Sequence, residues 1–462
     1  INPFAYRISP TGTFLWGANG VTLSNNFSVF QANPKVAKTT DNNFVVTWIY
    51  SSTPRKVAMQ KLSPTGAKLW GTDPVYLSGT AAELFDYPAV VTSDNGSVIA
   101  LWSGYTGSFL SPSNYRLYSQ KFSSAGTPVW NSTQDTVYNL GRVSGFFVPK
   151  LFSDGNNGAI YVWQDDRAFL NLSSSYVQRY SSAGVRLFPV NGTEASTTAG
   201  NNKFDAYATF MPSTNETYLI WKMSNGLQSL FGVYGQKFSS DGTRQWGNDG
   251  KVFQPLGSNS MEKLLCFTKD TNVVYSFNEI ITGVVNNIIK CFTADRSGNI
   301  GWGSYIHIIS SPYSEKLKLV GTINSNKMTM LTWSDRRLDG GGIYAQNVNS
   351  NGTLGNTVGI SSWANNVPAK FSLEQNYPNP FNPETIINYK LPASRQGGQI
   401  TNYVSLTIYD ILGNEIASYI NEKQNAGSYE IKFNGSNLSS GIYFYTLSAG
   451  EFKSTKSMIL IK

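Results

Sequence analysis

The chain has 462 residues, of which 40% are hydrophobic, 14% aromatic and 14% charged. That length calls for two or more domains, and a charged share well below the roughly 25% of ordinary soluble domains speaks against helical bundles and disorder. The +8 net charge is spread without a run of Lys and Arg, which speaks against a nucleic-acid footprint; it reads first as a solvated surface, with an acidic surface polysaccharide or lipopolysaccharide as the partner such a surface would otherwise suit.

No apolar run reaches the roughly 18 residues of a membrane helix, so no transmembrane segment is expected. The chain opens on Ile1, the pattern expected where a leader has been removed. Two cysteines, Cys266 and Cys291, cannot build a disulfide framework and read as reduced, packed thiols.

Repetition dominates the first 360 residues. One phrase returns as "YRISPTGTFLWG" (6–17), "MQKLSPTGAKLWG" (59–71), "SQKFSSAGTPVWN" (119–131), "VQRYSSAGVRLF" (177–188) and "GQKFSSDGTRQWG" (235–247), with weaker copies at 290–303 and 345–355. Its turn glycines stand at 12, 66, 126, 184, 242, 298 and 352, at intervals of 54, 60, 58, 58, 56 and 54 residues. Each copy reads as strand, tight turn, strand. The recurring Gln60, Gln120, Gln178, Gln236 and Gln346 read as hydrogen-bonding residues between strands or sheets.

Between these copies lies a second hairpin, as in "KVAKTTDNNFVVTWIY" (35–50). Its β-branched second strand ends in an aromatic, namely Trp48, Trp102, Trp163, Trp221, Phe277 and Trp333. Those six residues are expected to pack between neighbouring sheets.

Four antiparallel strands per period predict an all-β chain with a six-bladed β-propeller, seven blades being the alternative. A solenoid is the rival architecture, but it needs polar capping repeats that the sequence lacks. Seven copies of one hairpin against six of the other suggest ring closure, with 4–17 adding the outer strands to the sheet begun by 316–349. The other use of the surplus hairpin is self-association with a neighbouring chain.

Candidates for chemistry are few. His307 is the single histidine, so neither a zinc site nor a His-based nucleophile relay is expected. No cofactor and no metal are called for. Asp165 and Asp166 in "WQDDR" and Asp335 in "WSDRR" are the candidates for a glycosidase carboxylate pair. As loops at the sheet edge, fixed by Asp–Arg pairs, they need no catalytic role. The turns "SDNG" (93–96) and "SDGNNG" (153–158) are oxygen-rich but lack a full calcium-loop pattern.

The organisation read from these patterns is a propeller at 1–360, a linker at 361–372 and an Ig-like sandwich at 373–462. The last segment carries "LEQNYPNPFNPET" (373–385), "INYKLP" (387–392), "VSLTIYDILGNEI" (404–416), "AGSYEIKF" (426–433), "LSSGIYFYTLSAG" (438–450) and "TKSMILIK" (455–462). In order and spacing these motifs resemble the C-terminal sorting domain of the type IX secretion system, across about residues 371–462.

The resemblance carries the sorting role onto Leu373, Gln375, Asn376, Tyr377, Pro378, Asn379, Pro380, Phe381, Asn382 and Pro383. It also marks Tyr409, Asp410, Gly413, Gly441, Lys456 and Lys462. It implies export across the outer membrane of a Bacteroidota-like bacterium, the secretion machinery as partner, and a tail that is often removed or exchanged for a lipopolysaccharide anchor. The resulting expectation is a secreted or surface-bound structural or adhesive protein, not an enzyme, and a candidate subunit of an extracellular assembly. A carbohydrate- or peptide-binding propeller and a glycoside-active propeller are the rivals.

Overall fold

The computed structural model describes residues 2–462 except 10, 81, 109–110, 131–133, 142–147, 168–171, 338–340, 356–369, 393–401 and 425–426. Most of the expected linker, 361–369, lies outside the described residues. Every regular element among the described residues is a strand. The chain divides into two units, 1–356 and 357–462.

The first unit is propeller-like in its succession of antiparallel meanders. Sheet one runs Gln31–Lys38, Phe44–Tyr50, Lys56–Leu62 and Val75–Leu77; sheet two runs Leu84–Thr92, Val98–Ser108, Ser111–Phe122 and Asp135–Gly141. Sheet three runs Lys150–Ser153, Ala159–Asp165, Ser174–Tyr180 and Thr193–Glu194; sheet four runs Asn201–Met211, Glu216–Asn225, Phe231–Phe238 and Lys251–Gly257. Sheet five holds Ser260–Lys269, Asn272–Ile280, Asn287–Ala294 and His307–Ser310, and sheet six has, among the described residues, the three strands Lys316–Ile323, Thr329–Asp335 and Gly342–Val348. First strands of successive sheets pack against one another from sheet one through sheet six.

One expectation is corrected. Residues 4–17 do not join the sheet of 316–349. Phe4–Ala5 pairs with Val21–Thr22, and this short hairpin packs on sheet one through Trp16, Val21 and Leu23. The reason is local: 4–23 carries the third- and fourth-strand pattern of a repeat, and Trp16 reaches the turn of the next copy.

That reach is a general device. The indole N–H of Trp16 donates to Pro64 O at 2.9 Å, Trp70 to Ser124 O at 2.9 Å, Trp130 to Ser182 O at 3.1 Å, Trp246 to Arg296 O at 3.1 Å and Trp302 to Ser350 O at 3.0 Å. Each acceptor stands two residues before the next turn glycine. Phe188 fills the same place against Gly242 without a donor. The recurring glutamines brace the hairpin that carries the aromatic: Gln60, Gln120, Gln178 and Gln236 accept from the backbone N–H of Trp70, Trp130, Phe188 and Trp246 at 2.9–3.1 Å.

The residue after each of these glutamines is a cation that ties neighbouring sheets. Lys61 Nζ donates to Asp41 at 2.6 Å and to Gly96 O of sheet two at 2.9 Å. Lys121 pairs with Asp94 at 2.7 Å and reaches Ser182 O, while Arg179 joins Asp154 to Asn215 of sheet four. The oxygen-rich turns at 93–96 and 153–158 are therefore occupied by protein cations. Among the described residues no cluster of three His, Cys, Asp or Glu could hold a metal.

Trp48, Trp102, Trp163, Trp221, Phe277 and Trp333 are 0–4% exposed. The last five each sit in an apolar cluster shared with the preceding sheet, as Trp102 does with Val45, Val57 and Met59. Cys266 and Cys291 are buried free thiols in the first and third strands of sheet five, and burial pushes both up.

The second unit is a two-sheet sandwich. Ser372–Leu373, Glu384–Leu391 and Gly427–Asn434 form one sheet; Glu415–Gln424, Asn402–Tyr409, Gly441–Ala449 and Phe452–Leu460 form the other in that spatial order. Phe381, Ile387, Leu406, Tyr445 and Met458 lie in its single core.

Two outcomes follow for stability. A Cβ at Gly126 would lie 2.8 Å from the Trp70 ring at φ +84°, whereas Gly12, at φ +85°, has nothing within 4 Å. Gly126→Ala is expected to cost about 2–4 kcal/mol in urea unfolding and Gly12→Ala about 1–2 kcal/mol, the difference being the aromatic contact; equal losses would contradict the seat. Burial pushes the Glu216 carboxyl up, but Arg296 of the next sheet, Thr214, Tyr218 and Lys237 pull it down to about 2 from 4.5. The unfolded chain therefore binds more protons than the folded one across that window. Stability from this group is present above pH 4.5 and is lost as pH falls towards about 2. Glu216→Gln should flatten that slope in acid titration.

Candidate functional site

Each first strand outside sheet three shows the same irregularity. The pairing register slips at Ala32/Lys35, Asp86/Ala89, Phe204/Tyr207, Glu262/Leu265 and Leu317/Val320. At each slip one residue adopts a left-handed backbone: Asn33, Tyr87, Asp205, Lys263 and Lys318, with φ of 48–55°. These are β-bulges, which re-aim side chains and recur beside functional sites.

Two clefts open on this row. One, of about 350 Å³, is lined by Phe30, Asn33, Ser51, Arg55, Asp86 and Tyr87 between sheets one and two. Arg55 Nη1 donates to Asp86 Oδ2 at 2.5 Å and to Tyr105 Oη at 3.3 Å, and Tyr87 N donates to Asp86 Oδ1 at 2.9 Å. Burial, aided by the Asp86 charge, pushes the Tyr87 phenol up to about 12, so it stays a neutral donor. Phe30 is half exposed, at 52%.

The other cleft, of about 250 Å³, is lined by Lys150, Trp163, Gln164, Asp205 and Lys263 from sheets three, four and five. Lys150 Nζ donates to Asp205 Oδ1 at 2.6 Å and to Ala206 O at 2.9 Å. Sequence reasoning missed both clefts. Pro34 and Pro88 were the available signal, because a proline inside a strand marks an edge or a bulge.

The carboxylates singled out from the sequence lie elsewhere. Asp165 accepts from the Trp163 indole at 3.0 Å and from Arg167 at 2.5 Å; Asp335 accepts from the Trp333 indole at 3.2 Å and from Arg337 at 2.8 Å. Both side chains are 0% exposed. Each arginine stacks on a tyrosine of the next strand, Arg167 on Tyr176 and Arg337 on Tyr344. Burial pushes Asp335 up, but Ser314, Arg337 and Trp333 hold it below the usual range, so it stays ionised. These are buried, paired structural groups, while Asp166 is half-buried. His307 is likewise engaged, with Nε2 2.8 Å from Trp302 O and its ring against Tyr305.

In the tail, the proline-rich segment and the closing strand form one structure. Gln375 Nε2 donates to Ser457 O at 2.6 Å, Asn379 Oδ1 accepts from Ile459 N at 2.9 Å, and Phe381 exchanges backbone bonds with Ile459 and Ile461. Asn376 is buried; its N–H donates to Tyr445 Oη and its amide to Pro378 O and Thr385 Oγ1. Leu373 and Phe381 enter the core, while Tyr377, Pro378, Asn379, Pro380 and Asn382 are exposed. Asp410 caps the turn of Gly413 by accepting from Leu412 N and Asn414 N, and Lys462 Nζ donates to Ser436 O. Gly441 opens the strand whose partner carries Lys456.

A family described as "Secretion system C-terminal sorting domain" matches residues 375–462. The tail is a type IX secretion sorting domain. The protein that carries it is exported to the cell surface or extracellular space of a Bacteroidota bacterium, and the sorting domain implies interaction with the secretion machinery. No helix among the described residues is long and apolar enough to cross a membrane.

No curated protein matches the chain. Solved structures similar to it include a protein of unknown function from Dyadobacter fermentans, at 10% identity and TM-score 0.38, covering 71% of this chain and 96% of that one. A Penicillium chrysogenum α-L-arabinanase complexed with arabinobiose is 14% identical at TM-score 0.39, covering 68% and 92%. A Fusarium graminearum α-L-arabinofuranosidase is 14% identical at TM-score 0.40, covering 71% and 96%. The expectation of a chain that is not an enzyme is corrected by these neighbours, two of which are glycosidases by name. At these identities the likeness transfers no substrate and no catalytic residue.

The sorting domain gives a contrast to measure. Phe381→Ala is expected to destabilise the tail by about 3–5 kcal/mol through a core cavity. Tyr377→Ser, at a 79% exposed position, is expected to change stability by less than about 0.5 kcal/mol. Denaturant unfolding of the two variants checks this.

Proposed function

We propose that the repeat region is a saccharide-binding face presented outside the cell by an exported protein. In this reading residues 1–360 are a six-bladed propeller and 373–462 an Ig-like sorting sandwich, joined by 361–372, with the six strand-end aromatics packing the blades. The observation that carries the proposal is the recurrence of clefts at equivalent bulges, each combining amide or hydroxyl groups with an ion pair that crosses sheets, the first of them adding the exposed Phe30 ring. Sugar rings present apolar C–H faces and vicinal hydroxyls. An exposed Phe30 beside Asn33, Ser51 and the Arg55–Asp86 pair offers a stacking surface and both donors and acceptors. Holding surface polysaccharide is also a route to the adhesive role.

The test is titration of the full chain with a panel of neutral and charged oligosaccharides, with reducing-end release followed in the same samples. Binding that is lost in Phe30→Ala or Arg55→Ala, with the fold retained, supports the proposal. Failure to bind any saccharide, or binding untouched by both variants, overturns it. Released reducing ends would add hydrolysis to binding.

A further inference from the structure

The two clefts differ in charge. In the cleft between sheets one and two, the Arg55–Asp86 pair is internally neutral. The cleft of sheets three to five is lined by Lys150, Lys263 and Asp205. Lys150 is committed to Asp205. Lys263 forms no hydrogen bond or ion pair among the described residues. Two more charges stand close by. Lys222, across from Phe204, is flanked by the Phe204 and Phe231 rings at 5.8 and 5.4 Å, and Glu262 precedes Lys263 in the strand. Counting both, the site keeps one positive charge in excess.

The placement of Lys263 is enforced. It is the left-handed residue of its bulge, at φ 52°, a conformation a lysine adopts only when its surroundings impose it. The same bulge position in sheet four supplies Asp205. Two successive bulges thus set an anion and a cation on one cleft, and the preceding sheet's Lys150 satisfies only the anion.

We infer that the cleft of sheets three to five binds the carboxylate of an acidic saccharide through Lys263, with Lys150 and Asp205 beside it as the fixed polar pair. This rests on the saccharide-binding reading and adds a ligand class to one of its two sites. A carboxylate on a sugar ring places a negative charge next to hydroxyls, which matches a free ammonium next to an ion pair. Neutral saccharide belongs to the other cleft.

The experiment titrates the full chain with an oligogalacturonate and, separately, with a neutral arabino-oligosaccharide of equal length. The oligogalacturonate is expected to bind with an affinity that falls as salt rises. Lys263→Ala is expected to weaken it about tenfold, as loss of a charged hydrogen bond does, and Lys263→Arg to retain most of it. Neutral binding should respond to Phe30→Ala and not to Lys263→Ala. Thermal unfolding of each variant confirms the fold. Oligogalacturonate binding that is absent, or unchanged in Lys263→Ala, overturns the inference while neutral binding leaves the saccharide reading standing. Absence of binding to both sugars overturns both.

Discussion

The repeat region depends on one recurring contact: at Gly66, Gly126, Gly184, Gly242 and Gly352 an aromatic side chain of the preceding hairpin is seated on the turn glycine of the next repeat. The seat needs a residue without Cβ, because the ring of Trp70 approaches Gly126 more closely than any Cβ allows. It also needs a free carbonyl two residues earlier for the indole N–H. One residue type thus meets two demands at once, the positive φ of the turn and the space for the ring. A sheet that is apolar on both faces cannot stand alone, and the seat gives it its neighbour in a defined register. The indole N–H bonds add direction to the seat, marking one carbonyl of the next turn at each junction.

The cations that follow the recurring glutamines reinforce the same junctions from the polar side. Lys61, Lys121 and Arg179 are nearly buried, and each is neutralised by an aspartate while bonding to the next sheet. Groups of this kind fix geometry more than they add stability, since desolvation offsets most of the Coulomb gain. With sheets clamped at the turns, the first strands have no freedom to flatten. Their bulges hold residues such as Tyr87 and Lys263 in left-handed conformations that a looser stack would relax. The clefts lie where those bulges meet.

Much of this was legible because it obeys periodicity. The turn glycines recur with the repeat, the alternation of apolar residues marks the strands, and the sorting motifs appear in fixed order. What was hidden has physical causes. The partner of the hairpin at 4–17 was misjudged because counting hairpins reveals surplus strands but not which face they meet. Trp16 and its four tryptophan counterparts were visible in the repeat, yet their acceptors lie about fifty residues away. A bulge adds one residue to one strand, which strand patterning does not register; only Pro34 and Pro88 hinted at it. Asp165 and Asp335 were legible as Asp–Arg pairs but kept a rival catalytic reading, because a carboxylate near an arginine reads alike in a pocket and in a buried clamp. Their burial decides between the two.

In the tail, the proline-rich segment and the final strand, far apart in sequence, are one hydrogen-bonded structure. The export signature is therefore a folded surface, and exposed Tyr377 stands on a frame made by buried Asn376 and Phe381. In the proposed reading the repeat region supplies the ligand-sized surface. The most direct test of the account is a crystal structure of the chain soaked with a neutral oligosaccharide. The account predicts sugar density in the cleft between sheets one and two, stacked on Phe30 and bonded to the Arg55–Asp86 pair. Sugar bound away from the bulge row would contradict it.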